Sequence, residues 1–424
     1  MTSGRAARAA LAATTLAVVL SYSGARAEDG DERGTRAGDV PAVVAAPTSP
    51  ATPARPAQVR DADGVGGGAS ASASGADQQA ELSEQGRSAR GLYMNARSMR
   101  RTSARRLVTT LQRLHFDAVV IDVKDSSGNV YIDTHVPELR PQSVRRHRIR
   151  HLREKLAELR AAGIYTIARV SCFSDNQLPR RRRDLAVRHQ RDRQTWVSGG
   201  TGGTWLDPHN TRNHEIILAL ALEVQALGFD ELQLDYVRFP VDGATAWATF
   251  PAAGEGTRVD ALVSLLRTLD AGLHIPIGVD VFGLAAYREG DPSGLGQDLV
   301  RWLDHVEVIS PMLYLNAMRD WRVGQANRAH TLVEDGVAAL RARVGEQVVI
   351  RPYLQAFATG ADEFNPRFFA AQIRGARQGG SDGFLFWHTA SRYTMLEGSW
   401  RRIRDLYPFP RATSARAAAT PPAP

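Results

Sequence analysis

At 424 residues, with 43% hydrophobic and 23% charged side chains, the chain is long and apolar enough to bury at least one full-sized core, which excludes a wholly disordered protein. Its single cysteine, Cys172, excludes an intramolecular disulfide framework. The formal net charge of +8, carried mainly by arginine, points to an anionic partner such as an acidic polymer; no nucleic-acid-binding motif accompanies it, so nucleic acid is not expected.

The N-terminus places Arg5 and Arg8 ahead of an apolar run over residues 9–20, and then a small-x-small pattern, Ala25-Arg26-Ala27. This reads as a secretory signal peptide over residues 1–27, too short and wrongly flanked to be a stable membrane span. Export to the periplasm, cell envelope or outside is expected. Residues 28–90 are Ala, Gly, Ser, Pro and Asp without period and predict a disordered linker, and residues 411–424 predict a disordered tail. No later stretch is long and apolar enough to cross a bilayer, so no transmembrane span is expected once the signal is cleaved.

Residues 91–410 alternate between two periods. A strand is expected over 91–95 and a helix over 102–115, with Ser103 or Thr102 as cap. A strand over 118–124, a helix over 151–162 closed by Gly163, and a strand over 164–171 follow. The helix over 214–227 ends at Gly228 and leads into the stretch 228–240, the fourth strand. A helix over 258–271, strands over 275–282 and 306–314, and a helix over 327–343 come next. A strand over 348–355, a helix over 366–378 and a strand over 383–389 complete the series. Eight strands alternating with helices predict an α/β fold, a (β/α)8 TIM barrel. The rival, a doubly wound open sheet, lacks a glycine-rich phosphate turn after the first strand.

The fourth strand organises the rest. Leu232, Leu234 and Tyr236 fall on one face, with Glu231, Gln233 and Asp235 on the other, and Pro240 is expected to stop it. The same parity sets Asp122 and Lys124 against Val119, Ile121 and Val123, and Asp280 against Val279 and Val281. Arg169, Tyr314, Arg351 and Trp387 likewise oppose aliphatic neighbours, and Tyr93 lies near the end of the first strand. These residues are expected in the later parts of their strands, gathered at one barrel mouth, where such folds carry their sites.

Two carboxylates beside aromatic platforms suggest glycosidic-bond cleavage, which needs a protonated acid and an ionised carboxylate. Asp235 and Asp280, on successive strands roughly 4.8 Å apart, are the catalytic candidates, at roughly the 5 Å separation of a retaining pair. Asp122, beside Lys124 and Arg169, is expected to be ionised through opposite-charge pairing and to orient substrate. Tyr93, Tyr314 and Trp387 offer flat faces to sugar rings.

Several motifs occur in family order: Gly91-Leu-Tyr93, Val120-Ile-Asp-Val-Lys-Asp125, Gly163-Ile-Tyr-Thr-Ile-Ala-Arg169, Trp205-Leu-Asp-Pro208 and the whole of 228–240. Val281-Phe-Gly283, Ile309-Ser-Pro-Met-Leu-Tyr314 and Arg351-Pro-Tyr-Leu-Gln-Ala-Phe357 continue them. Over residues 91–407 the chain resembles the putative glycoside hydrolase domain family, a bacterial group with a glycosidase-type TIM barrel. The resemblance implies a glycoside hydrolase acting on a polysaccharide; the N-terminal pattern adds export, and the basic residues favour an acidic sugar polymer. Asp207, Arg238, Arg351 and Gln355 join Tyr93, Asp122, Lys124, Arg169, Tyr314 and Trp387 as substrate-binding candidates. The chain also resembles the alpha-amylase-like barrels, where the strand-four Asp is the nucleophile and the strand-five acid is usually Glu; Asp280 has a shorter arm. A non-catalytic carbohydrate-binding barrel and a lyase or transglycosylase remain alternatives.

No cofactor or metal is called for. His147 and His151 are spaced to share a helix face, but no third ligand is evident. The run 180–183 reads as a solvated loop, and Cys172 lacks a paired histidine for nucleophilic chemistry.

Overall fold

The computed structural model describes residues 81–198, 203–291, 293–318 and 326–404. The expected signal peptide and tail, and the expected linker up to residue 80, lie outside the described residues. Eight parallel strands close into a barrel. They are β1 (Arg90–Met94), β2 (Ala118–Lys124), β3 (Tyr165–Ser171), β4 (Glu231–Asp235) and β5 (Ile277–Phe282), followed by β6 (Val308–Met312), β7 (Val349–Ile350 with Tyr353–Gln355) and β8 (Phe384–Trp387). Arg351 and Pro352 interrupt β7, and β8 closes the ring by pairing Gly91 with Leu385.

Period-2 alternation explains both faces of the wall. Val119, Ile121, Leu232, Leu234, Val279 and Ile309 pack outward against helices. Val120, Ile167, Val308 and Leu385 fill the barrel interior with Tyr165 and Tyr353. The longer helices are Ala104–Arg113, Leu152–Ala161, Thr211–Leu227, Arg258–Asp270, Arg328–Val344, Pro366–Gln378 and Thr394–Arg404. Ser103 caps the first of them by accepting from the Arg106 backbone N–H at 3.3 Å. Gly228, at φ 93°, ends the 17-residue helix in the left-handed conformation and turns the chain into β4. Among the described residues between β5 and β6 the helical elements are short 3-10 turns, Gly283–Ala286 and Leu299–Trp302, and Trp302 is fully buried.

Two boundaries differ from expectation. The folded part begins before residue 91: a Ser83-capped turn, Glu84–Arg87, precedes β1, and Leu82 is buried in the inner core. Gln85 Nε2 ties this turn to the Gly163 carbonyl at 2.7 Å. A stretch expected to be linker thus closes the barrel floor, through one apolar side chain and a capped turn too short to show a period. The fourth strand, expected to reach Pro240, ends at Asp235. Tyr236 takes φ 55°, a left-handed conformation that costs a non-glycine residue about 1–2 kcal/mol and leaves the ladder. No helix among the described residues is long and apolar enough to cross a membrane.

Candidate active site

Arg169, near the end of β3, sits in the barrel among three carboxylates supplied by β2, β4 and β5. Its Nη1 pairs with Asp122 Oδ1 at 2.6 Å. Its Nε donates to Asp235 Oδ2 at 3.1 Å, and Nη2 donates to the same oxygen. Asp280 Oδ2 lies 3.8 Å from Nε. Both Oδ2 atoms therefore contact one nitrogen, which keeps them within about 7 Å of each other, short of most of the roughly 6.5–9.5 Å range of inverting pairs.

One guanidinium cannot neutralise three acids, and all are buried: Asp122 is 3%, Asp235 7% and Asp280 2% exposed. Asp280 bears the imbalance. Burial, and then the charge of Asp235, hold its carboxyl well above the ordinary carboxylate range, against the pull of Arg169. Its Oδ1 is buried and has no hydrogen-bond partner. A carboxyl that keeps its proton to higher pH than an ordinary carboxylate, with an oxygen left free, is the arrangement a general acid needs.

Asp122 was expected to be ionised through opposite-charge pairing; burial pushes it up to about 6, with Arg169 and the Tyr93 hydrogen bond pulling the other way, so it stays mostly ionised at pH 7. Both its oxygens are occupied, Oδ1 by Arg169 and Oδ2 by the Tyr93 hydroxyl. A carboxyl whose folded pKa exceeds its unfolded value binds extra protons when folded, so its contribution to stability falls as pH rises between 3.8 and about 6. Asp122→Asn should therefore gain stability on the wild type across that window, by on the order of 3 kcal/mol. Thermal unfolding of both proteins from pH 4 to pH 7 checks this; a constant difference would rule it out.

Lys124 does not face Asp122. The β2–β3 register slips between these two residues, and Lys124 pairs instead with Asp175 at 2.9 Å and donates to the Ser171 carbonyl at 2.9 Å. Asp175, in an aperiodic loop, was missed by sequence reasoning. It also accepts from Gln142 Nε2 at 3.0 Å and from the Leu178 backbone N–H at 2.8 Å. The aromatic candidates do meet. Trp387 stacks on Tyr314 at 5.7 Å between ring centroids and lies 6.0 Å from Tyr93, and Phe357 packs edge-on to both Trp387 and Tyr314. Trp387 and Phe357 are half-buried, leaving ring surface for a ligand.

Other candidates are braces or lie elsewhere. Asp207 accepts from the His209 and Ala252 backbone N–H groups at 2.9 and 3.0 Å, tying two loops together. Gln355 donates to the Phe357 and Thr359 carbonyls and accepts from Asn316, with no exposure. Arg238 is buried among the Trp205, Tyr236 and Phe282 rings, 4.5–5.2 Å away, and supports the loop after β4. Arg351 is in the barrel floor, not at the mouth. It is fully buried, forks onto both oxygens of Glu231 at 3.1 and 2.9 Å, and donates to the Gly86 carbonyl at 3.0 Å. His147 and His151 share no helix face, because both precede the helix that starts at Leu152. Cys172 is fully buried, and burial raises its thiol far from the reactive range.

A family model described as a putative glycosyl hydrolase domain matches residues 91–393. The chain belongs to that family. Family and fold make this a glycosidase-like enzyme domain. The glycoside hydrolase domain of PgaB (BpsB) from Bordetella bronchiseptica has the same fold, with a TM-score of 0.54 at 12% identity, over 74% of this chain and 98% of that one. A hypothetical protein from Ruminiclostridium thermocellum is 26% identical over 45% of this chain and 97% of its own, with a TM-score of 0.40. No curated protein is significantly similar in sequence.

Proposed function

We propose that this glycosyl hydrolase domain is an exported, retaining glycosidase that cleaves a polysaccharide with Asp280 as acid and Asp235 as nucleophile. The observation that carries the reading is the contrast between the two acids: Asp280 has a buried oxygen without a partner and a carboxyl held well above the ordinary carboxylate range by burial and the charge of Asp235, while Asp235 is ion-paired to Arg169. Their Oδ2 atoms share Arg169 Nε, a separation compatible with the roughly 5 Å of retaining pairs. Asp280 would pass its proton to the glycosidic oxygen as the bond to the anomeric carbon breaks, and Asp235 would form the ester at that carbon. Asp280, now a carboxylate, would take a proton from the water that displaces Asp235. Arg169 holds Asp235 in place, and Asp122 and Tyr93 hold Arg169. The half-buried Trp387 and Phe357 would stack on sugar rings, backed by the buried Tyr93 and Tyr314. Export is part of the proposal and rests on the N-terminal pattern; N-terminal sequencing of the mature protein should begin at Glu28.

Reducing-end release from a panel of neutral and acidic polysaccharides, with wild type beside Asp235→Asn, tests the reading. Release by the wild type alone is expected. The near-complete burial of all three acids favours a second reading, a non-catalytic carbohydrate-binding barrel. That reading requires glycan binding by both proteins and release by neither.

A further inference from the structure

A second concentration of charge lies beside the mouth. The helix Ala96–Arg101 starts one residue after β1, capped by Asn95, whose side chain accepts from the Ser98 backbone N–H at 2.8 Å. Its arginines Arg97, Arg100 and Arg101 face, across an open cleft of about 550 Å³, Tyr131, His147 and Arg150 from the connection that follows β2. The four lining arginines are exposed, and no carboxylate lines the cleft. Among the described residues none of the four side chains makes an ion pair or hydrogen bond. Arginines nearby are treated differently: Arg148 pairs with Asp133 at 2.6 Å and holds the Ser143 carbonyl at 3.0 Å. Arg146 adds a further guanidinium at the edge, donating to His147 Nε2 at 3.2 Å.

Cations brought together from two separate chain segments, with no counter-charge, repel one another until an anion joins them. A concave surface of one sign also focuses its field and gathers ligands of the opposite sign. The forked guanidinium suits planar carboxylate and tetrahedral phosphate oxygens alike. The cleft lies on the side of the barrel where β2 ends: the Tyr131 hydroxyl donates to Asp125 Oδ2 at 2.6 Å, and Asp125 follows Lys124 at the end of β2.

We propose that this cleft is an anionic subsite, holding a carboxylate- or phosphate-bearing sugar of a polysaccharide whose neighbouring units reach the barrel mouth. The placement of that chain rests on the glycosidase reading; the binding itself does not. The geometry makes the arginines binding residues and leaves the acid chemistry to the barrel.

Affinity electrophoresis of the full chain tests this in gels containing polygalacturonate, poly(glycerol phosphate) or dextran. Retardation by at least one of the two anionic polymers is expected, with none by dextran and progressive loss as salt is added. The polymer that retards identifies the source of the charge. Arg97→Ala and Arg150→Ala should each weaken binding about two- to fivefold, the range of single exposed ion pairs. The double reversal Arg97→Glu with Arg150→Glu should abolish it. The reversal Arg105→Glu with Arg106→Glu, in a separate surface pocket with Glu397, should leave it intact. No retardation by either anionic polymer, equal retardation by dextran, or equal losses from the two reversals would overturn the proposal. Because binding needs no turnover, retardation without reducing-end release defeats only the glycosidase reading. Release with binding indifferent to the cleft reversal defeats only the subsite.

Discussion

Asp280→Asn should lower turnover of an unactivated glycan by about 100- to 10,000-fold, the range for loss of a positioned general acid. The effect should shrink for aryl glycosides whose leaving group departs without a proton, because Asp235 and Arg169 remain in place. Asp235→Asn should abolish turnover of both substrate types, since it removes the nucleophile itself. In the wild type, burial and then the Asp235 charge hold the Asp280 carboxyl well above the ordinary carboxylate range. Activity should therefore persist through neutrality and fall only in the alkaline range, as its proton is lost. Initial rates against pH for both leaving-group classes separate these roles. Equal losses for good and poor leaving groups would remove Asp280 from the acid's role.

The second large effect concerns stability. Arg351→Ala should destabilise the barrel by about 3–5 kcal/mol, because it leaves Glu231 as an uncompensated charge where neither side chain has any exposure. It would also release the Gly86 carbonyl and, with it, the floor turn. Chemical denaturation measures the loss. The apolar double variant Glu231→Leu with Arg351→Met should recover most of it, since replacing a buried pair by packed hydrophobes is often neutral or better. Protein that remains folded should keep its glycan affinity; a selective loss of affinity with unchanged stability would return Arg351 to the substrate site.

That pair shows what sequence can and cannot reveal. Alternation along each strand identified which residues point into the barrel, and β2 through β6 kept the expected faces because an aliphatic outer face must meet helices. Parity gives the face but not the height. Arg351 and Asp280 both point inward, yet Arg351 lies level with Glu231, the first residue of β4, and Asp280 lies beside Arg169 near the mouth. Height depends on where each strand starts relative to its neighbours, and the Arg351-Pro352 break in β7 carried no alternation from which to read it. Partner choice was hidden for a similar reason. The one-residue slip that turns Lys124 from Asp122 to Asp175 is a property of two paired strands, not of either alone. The strand end at Asp235 was also invisible, since Tyr236, Val237 and Phe239 are ordinary strand residues and only the left-handed backbone at Tyr236 stops the ladder.

The reading of the barrel stands on one proton, and infrared difference spectroscopy can look for it without any substrate. At pH 7 the wild type should show a protonated carboxylic C=O stretch that vanishes in Asp280→Asn and persists in Asp122→Asn, since Asp122 is raised only to about 6. No such band at pH 7, or a band removed only by Asp122→Asn, would contradict Asp280 as the proton donor.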